Sequence, residues 1–127
     1  MCRELIIIIV VILLIVGLDI ITNSYTKESL NILSKDLNIL REYILDGDKQ
    51  NSEEQMENIK RTWEERYKIL AFYIEHDELE KVETEMVKLQ ADIEVEEFKH
   101  CVSELETIIF ILEHIQEKEE MHFRSVF

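Results

Sequence analysis

The chain has 127 residues, of which 28 are acidic and 14 basic, giving a net charge of −14. That balance excludes nucleic acid as a partner, because its phosphates would repel the protein, and it argues equally against adhesion to anionic lipid headgroups. With no proline and only two glycines, Gly17 and Gly47, the composition fits one small domain that is nearly all helix.

Leu5 to Leu18 is an unbroken apolar run, opened by Met-Cys-Arg-Glu and extended past Asp19 by Ile20 and Ile21. As a helix of about 17 residues at roughly 1.5 Å rise it measures about 25 Å, the short end of what crosses the hydrocarbon core of a bilayer. A cleaved signal peptide has a similar basic start and apolar stretch. Against it, the Asp-Ile-Ile-Thr-Asn-Ser-Tyr-Thr that follows Leu18 has no A-x-A-like pair of small residues, and Cys2 precedes the run instead of closing a lipobox. A buried apolar helix of a soluble protein is the third reading, but a β-branched run with no polar face would be odd outside lipid. The expectation is an uncleaved anchor over residues 1–21, in contact with the bilayer through residues 5–21. Arg3 and the α-amine lie before the run and the next basic residue is Lys27, which favours the N-terminus inside. The rest of the chain is then extracytoplasmic, at the outer face of the cytoplasmic membrane. Cys2 and Cys101 fall on opposite sides of the bilayer, so they cannot pair within one chain, and Cys101 reads as a core residue.

Leu30, Leu33, Leu37, Leu40 and Ile44 recur at alternating spacings of three and four, a helical stripe that continues the anchor outward to Leu45. Asp46-Gly47-Asp48 supplies a turn with one residue free to take positive φ, and Asn51 or Ser52 marks the next helix start. The second stripe is Met56, Ile59, Trp63, Tyr67, Leu70 and Ile74. Its phase breaks at Glu75-His76-Asp77, where Asp77 and Glu80 form a capping box. Leu79, Val82, Met86, Leu89 and Ile93 make the third stripe, and Phe98, Cys101, Leu105, Ile108, Leu112 and Ile115 the fourth. The turn between them falls around Glu94 to Glu97 and has no glycine to mark it. Each helix has one apolar and one charged face, so the fold class is all-α: an N-terminal transmembrane helix continuing into a small antiparallel bundle of three to four helices over residues 22–116, followed by a tail over residues 117–127. The stripe of the first helix pairs equally well with its own bundle or with a second chain.

In such a bundle the segments around His76 and His114 meet at the membrane-facing end, unless the second and third helices are one bent rod. Tyr67, Phe72 and Tyr73 fall near that end with Phe123, Arg124 and Phe127, and aromatics beside a basic residue suit the bilayer interface. Phe72-Tyr73-Ile74-Glu75-His76 and Phe110-Ile111-Leu112-Glu113-His114 share the pattern F-x-[IL]-E-H, each at the close of a predicted helix. A histidine there favours the negative end of the helix dipole. The sharper reading is a metal or proton-sensing site built from His76, His114 and one or both of Glu75 and Glu113. Adjacent helical residues point about 100° apart, so all four do not converge without distortion. Glu97-x-x-His100 and Glu119-x-x-His122 match the ligand spacing of di-iron bundles, but that chemistry needs both motifs facing the core. Four scattered histidines and no Gly-rich elbow make no catalytic set.

Trp63, the segment Phe72 to Glu80, Leu89, Ile93, Glu104-Leu105, Leu112-Glu113-His114-Ile115 with Glu117, and the closing Val126-Phe127 together resemble the domain of unknown function 4363 family. The resemblance covers nearly the whole chain, and its most specific parts are the two segments ending in histidine. It implies a small bacterial protein, largely of spore-formers, with an N-terminal hydrophobic segment and a helical remainder. The turn at Asp46 to Asp48 lacks the nearby tryptophan often seen in that family, and Ser125 stands where asparagine usually precedes the closing pair. The family implies no activity. The expected function is therefore non-enzymatic, with no cofactor: a membrane-anchored scaffold or accessory protein with a protein partner or self-association. The alternative is a membrane-proximal sensory module that binds metal or protons through His76 and His114.

Overall fold

A computed structural model describes residues 1–126 of the chain, and side chains as far as Ser125. The closing pair Val126-Phe127, including the interfacial role expected of Phe127, thus lies outside the described side chains. The described residues form α1 (Cys2–Leu45), α2 (Lys49–Leu70), α3 (His76–Glu94) and α4 (Phe98–Val126), with no strand among them. Each helix packs on its two neighbours in a closed ring, α1 on α2, α2 on α3, α3 on α4 and α4 back on α1. This is the up-down-up-down bundle that short connections between amphipathic helices favour.

The expected continuity of the first helix is present, since α1 runs for 44 residues without a break, about 66 Å at the α-helical rise. Its two halves have different surroundings. Side chains from Leu5 to Ile15 are exposed, whereas Leu30, Leu33, Leu37, Leu40 and Ile44 are buried in the bundle core. The stripe of the first helix is therefore used within its own bundle. The other stripes supply the rest of the core: Met56, Ile59, Trp63 and Leu70 from α2, Leu79 to Ile93 from α3, and Cys101 to Ile115 from α4.

The first turn forms as expected. Gly47 takes φ +68°, and the Asp48 N–H reaches back to the Tyr43 carbonyl, the long bond of a Schellman closure. The start of α2 lies earlier than Asn51 or Ser52. Asp48 caps it, its carboxylate accepting from the Asn51 backbone N–H at 3.0 Å, because an ionised acceptor serves orphan amide donors well.

The connection between α2 and α3 is a true reversal, not a bent rod. α2 stops at Leu70, and Ile74, the last residue of its predicted stripe, is buried within the turn. The expected Asp77–Glu80 capping box is absent: α3 starts at His76, its N-cap is Glu75, and no side chain caps it. At the third turn Glu96 adopts φ +59°, and the Glu97 N–H bonds to the Asp92 carbonyl. This is the same closure as at Gly47, made here with an L-residue.

The tail set apart over residues 117–127 is instead the continuation of α4, which runs to Val126. No proline or glycine interrupts it, and Glu119, Glu120 and Phe123 remain half-buried. The reason is the length of α1: because α1 extends below the rest of the bundle, the antiparallel α4 still has a neighbour to lie against.

Candidate functional site

The end of the bundle expected from the topology exists as a distinct region next to the apolar half of α1, where the α2–α3 turn and the lower part of α4 meet α1. Its anchor point is Tyr73. The Tyr73 hydroxyl donates to the Thr22 carbonyl at 3.1 Å and lies 2.7 Å from Oγ1 of the buried Thr26. With its one proton committed to Thr22, it accepts from the Thr26 hydroxyl. Burial raises the Tyr73 pKa above its ordinary value, with the Thr26 hydrogen bond acting in the opposite direction. One turn up, Arg66 reaches from α2 to the buried Ser29 hydroxyl at 3.5 Å and to Glu28 at 3.9 Å. Its guanidinium lies 5.2 Å from the centre of the Tyr25 ring, within cation–π range.

A groove of about 860 Å³ opens beside this anchor, between Leu18, Asp19 and Thr22 of α1, the turn residues Phe72 and Tyr73, and Lys118, Glu119 and Met121 of α4. Phe72 is 89% exposed on its rim. Burial raises the pKa of the Glu119 carboxyl and the charge of Asp19 adds to the rise, while His122 and Lys118 oppose it.

The four residues of the metal or proton-sensing hypothesis are not brought together. His76 lies 3.8 Å from Glu80 on its own helix. His114 lies 3.9 Å from Glu78 across the α3–α4 interface. Glu75 pairs with Lys118 at 3.2 Å, and Glu113 is exposed. Among the described residues no group of three or more His, Cys, Asp or Glu side chains is arranged to hold a metal ion. The helix-dipole reading of the F-x-[IL]-E-H echo also fails. His76 opens α3 instead of closing α2, and His114 sits in the middle of α4. Nor do the Glu-x-x-His pairs face the core, for Glu97, His100 and His122 are all exposed.

Glu78, which sequence reasoning missed, joins the two helices. It is buried, and its carboxylate faces both His114 and, at 4.0 Å, Lys118. The position lies beside Leu79 of the stripe, so the sequence hint was only its adjacency to an apolar residue. The Thr22, Thr26 and Ser29 set had a better signal, since it extends the stripe of Leu30 and Leu33 downward at helical spacing.

A second carboxylate pair lies across α3 and α4 toward the other end. One oxygen of Glu104 is buried without a hydrogen-bond partner, and the pKa of this carboxyl is pushed up to about 7, by burial first and then by Asp92. The neighbouring Cys101 is fully buried and its thiol is pushed up to about 11, chiefly by burial, which suits the core role expected of it and makes it a poor nucleophile.

Among the described residues α1 is the one helix long and apolar enough to cross a membrane. No curated protein and no solved structure matches the chain. Residues 20–126, which begin where the apolar run ends and take in every helix of the bundle, match the family described as Domain of unknown function (DUF4363), and the chain belongs to that family.

Proposed function

We propose that the protein is a single-pass, non-catalytic membrane protein whose acidic bundle stands at the outer face of the cytoplasmic membrane and binds another protein there. The observation that carries the reading is the division of α1. One uninterrupted helix has a lower half of exposed aliphatic side chains and an upper half that is the spine of a packed core. Leaving an apolar segment of that size in water is costly, at roughly 25 cal/mol per Å² of apolar surface, and a bilayer removes the cost. The asymmetry of Arg3 and the α-amine against an otherwise acidic chain supports the N-terminus-inside orientation.

A partner surface of basic character fits the net charge of −14, because complementary fields speed encounter and select against other acidic proteins.

Removing residues 1–21 tests the reading. The remaining chain is expected to be soluble, helical and cooperatively folded, while the full chain stays with membranes through an alkaline wash. A truncated chain that is unfolded in the absence of a partner would overturn the independent-bundle part of the proposal. A full chain released by the wash would overturn the anchor.

A further inference from the structure

We infer that the bundle makes a second contact with the membrane, through the α2–α3 turn and the groove beside it, and that the surface it fits is a zwitterionic phospholipid interface. The inference rests on the reading of α1 as a membrane-spanning helix and adds to it a specific docking surface. A bundle on a bare stalk would sit clear of the headgroups. The geometry here places part of it among them.

Height is the first argument. The two hydrogen bonds of Tyr73, to Thr22 and Thr26, fix the turn against α1, and Phe72 shares the groove with Leu18 and Thr22. The apolar stretch that ends at Ile21 spans about 25 Å, whereas the hydrocarbon core is about 30 Å thick. A bilayer of ordinary thickness that begins near Glu4 therefore reaches at least to the level of Thr22. Phe72 then stands at the hydrocarbon boundary, one residue from a tyrosine, where aromatic side chains are favoured.

Exposure is the second. Phe72 is 89% exposed, Met121 70% and Leu18 60%, and all three line one groove whose α1 wall is continuous with the apolar segment. A soluble partner would have to push through headgroups to cover them, and lipid already occupies that level.

Charge selects the lipid. Asp19, Glu75, Glu78 and Glu119 outnumber Lys118 and His122 around the groove, so an anionic headgroup meets net repulsion. A choline or ethanolamine headgroup brings its own cation to these carboxylates, and a choline also suits the exposed face of Phe72.

The test uses the full chain in phosphatidylcholine vesicles containing lipid brominated either near the carbonyl end of the acyl chain, which quenches tryptophan at the level expected of Phe72, or near its methyl end, which quenches at the bilayer centre where Ile12 is expected. In a Trp63→Phe background, single tryptophans are placed by Phe72→Trp, by Ile12→Trp within the apolar run, and by Leu45→Trp at the far end of α1. All three sites are exposed, so the fold is not disturbed by the reporters. Quenching of both Ile12→Trp and Phe72→Trp, with Leu45→Trp unaffected, supports the proposal. Quenching of Ile12→Trp alone overturns it and leaves the spanning reading intact. No quenching of Ile12→Trp overturns both. A Phe72→Trp emission that is blue-shifted but not quenched would identify a second copy of the chain as the occupant and overturn the lipid assignment. Quenching at Phe72→Trp that appears only when phosphatidylglycerol is added would overturn the zwitterionic assignment.

Discussion

The hydroxyls of Tyr73 and Thr26 stand 2.7 Å apart, across 47 residues of sequence, and this contact ties the α2–α3 turn to the point where α1 leaves its apolar run. Thr26 is buried, so its hydroxyl has no water to fall back on when the partner is removed. Tyr73→Phe is expected to cost about 1 kcal/mol, within the usual range for a lost hydrogen bond that strands a buried group. Thr26→Val should cost a similar amount, and the double variant less than the sum of the two. Urea unfolding of the full chain in micelles, followed by Trp63 fluorescence, measures all three. Strict additivity would mean that the two side chains do not act as a pair.

The two left-handed turn residues predict opposite outcomes. Gly47 has φ +68° and Glu96 has φ +59°, a region that costs an L-residue roughly 1–2 kcal/mol. Gly47→Ala is therefore expected to destabilise the protein by about 1 kcal/mol, and Glu96→Gly to stabilise it by a fraction of that once the greater chain entropy of glycine is counted. Denaturation midpoints measure both. A destabilised Glu96→Gly would mean that its side chain contributes more than its backbone costs.

These turns also show what was legible in the sequence. Asp46-Gly47-Asp48 announced itself because only a few residue types take positive φ easily. Glu96 gave no such sign, because Val95 to Glu97 fold into the same closure without the residue that usually marks it. The apolar stripes of all four helices were readable because 3.6-residue periodicity is local information. The end of α4 was not, because its continuation depends on how far α1 extends beside it. Tyr73 with Thr22, and Glu78 with His114, are products of packing between distant helices, and no spacing encodes them. The histidine echo misled because recurrence in sequence places residues on helices without saying which ends those helices bring together.

Glu104 makes stability depend on pH. Its carboxyl is raised from the ordinary 4.5 to about 7, by burial and then by Asp92, so between those values the folded state holds a proton that the unfolded chain has released. The stabilising contribution of that proton is full below about pH 4.5 and is lost as pH rises through about 7. Glu104→Gln keeps a neutral hydrogen-bonding group beside Asp92. It is expected to flatten the fall in unfolding midpoint between pH 5 and 8 and to be more stable than the parent at pH 8. Parallel pH profiles for the two proteins would contradict this assignment.

Changing His76 and His114 to alanine together removes two exposed ion-pair partners, of Glu80 and Glu78 respectively. The expected loss of stability is below about 1 kcal/mol, because the His76 pair is solvent-exposed and the buried Glu78 keeps Lys118 beside it when His114 is removed. Added zinc should shift the thermal midpoint of neither protein. A zinc-dependent rise in the parent that the double variant lacks would restore the metal-sensing reading.

The most direct test of the central claim is labelling of a single exposed cysteine at the far end of α1 with a membrane-impermeant maleimide. Leu45→Cys is placed in a Cys2→Ser background, and the buried Cys101 stays unlabelled in the folded protein. The account predicts that membrane-bound protein in intact cells is labelled as fully as after lysis, with the acidic bundle outside. Labelling that appears only after lysis would put the bundle in the cytoplasm and contradict the proposed orientation and the extracytoplasmic partner with it.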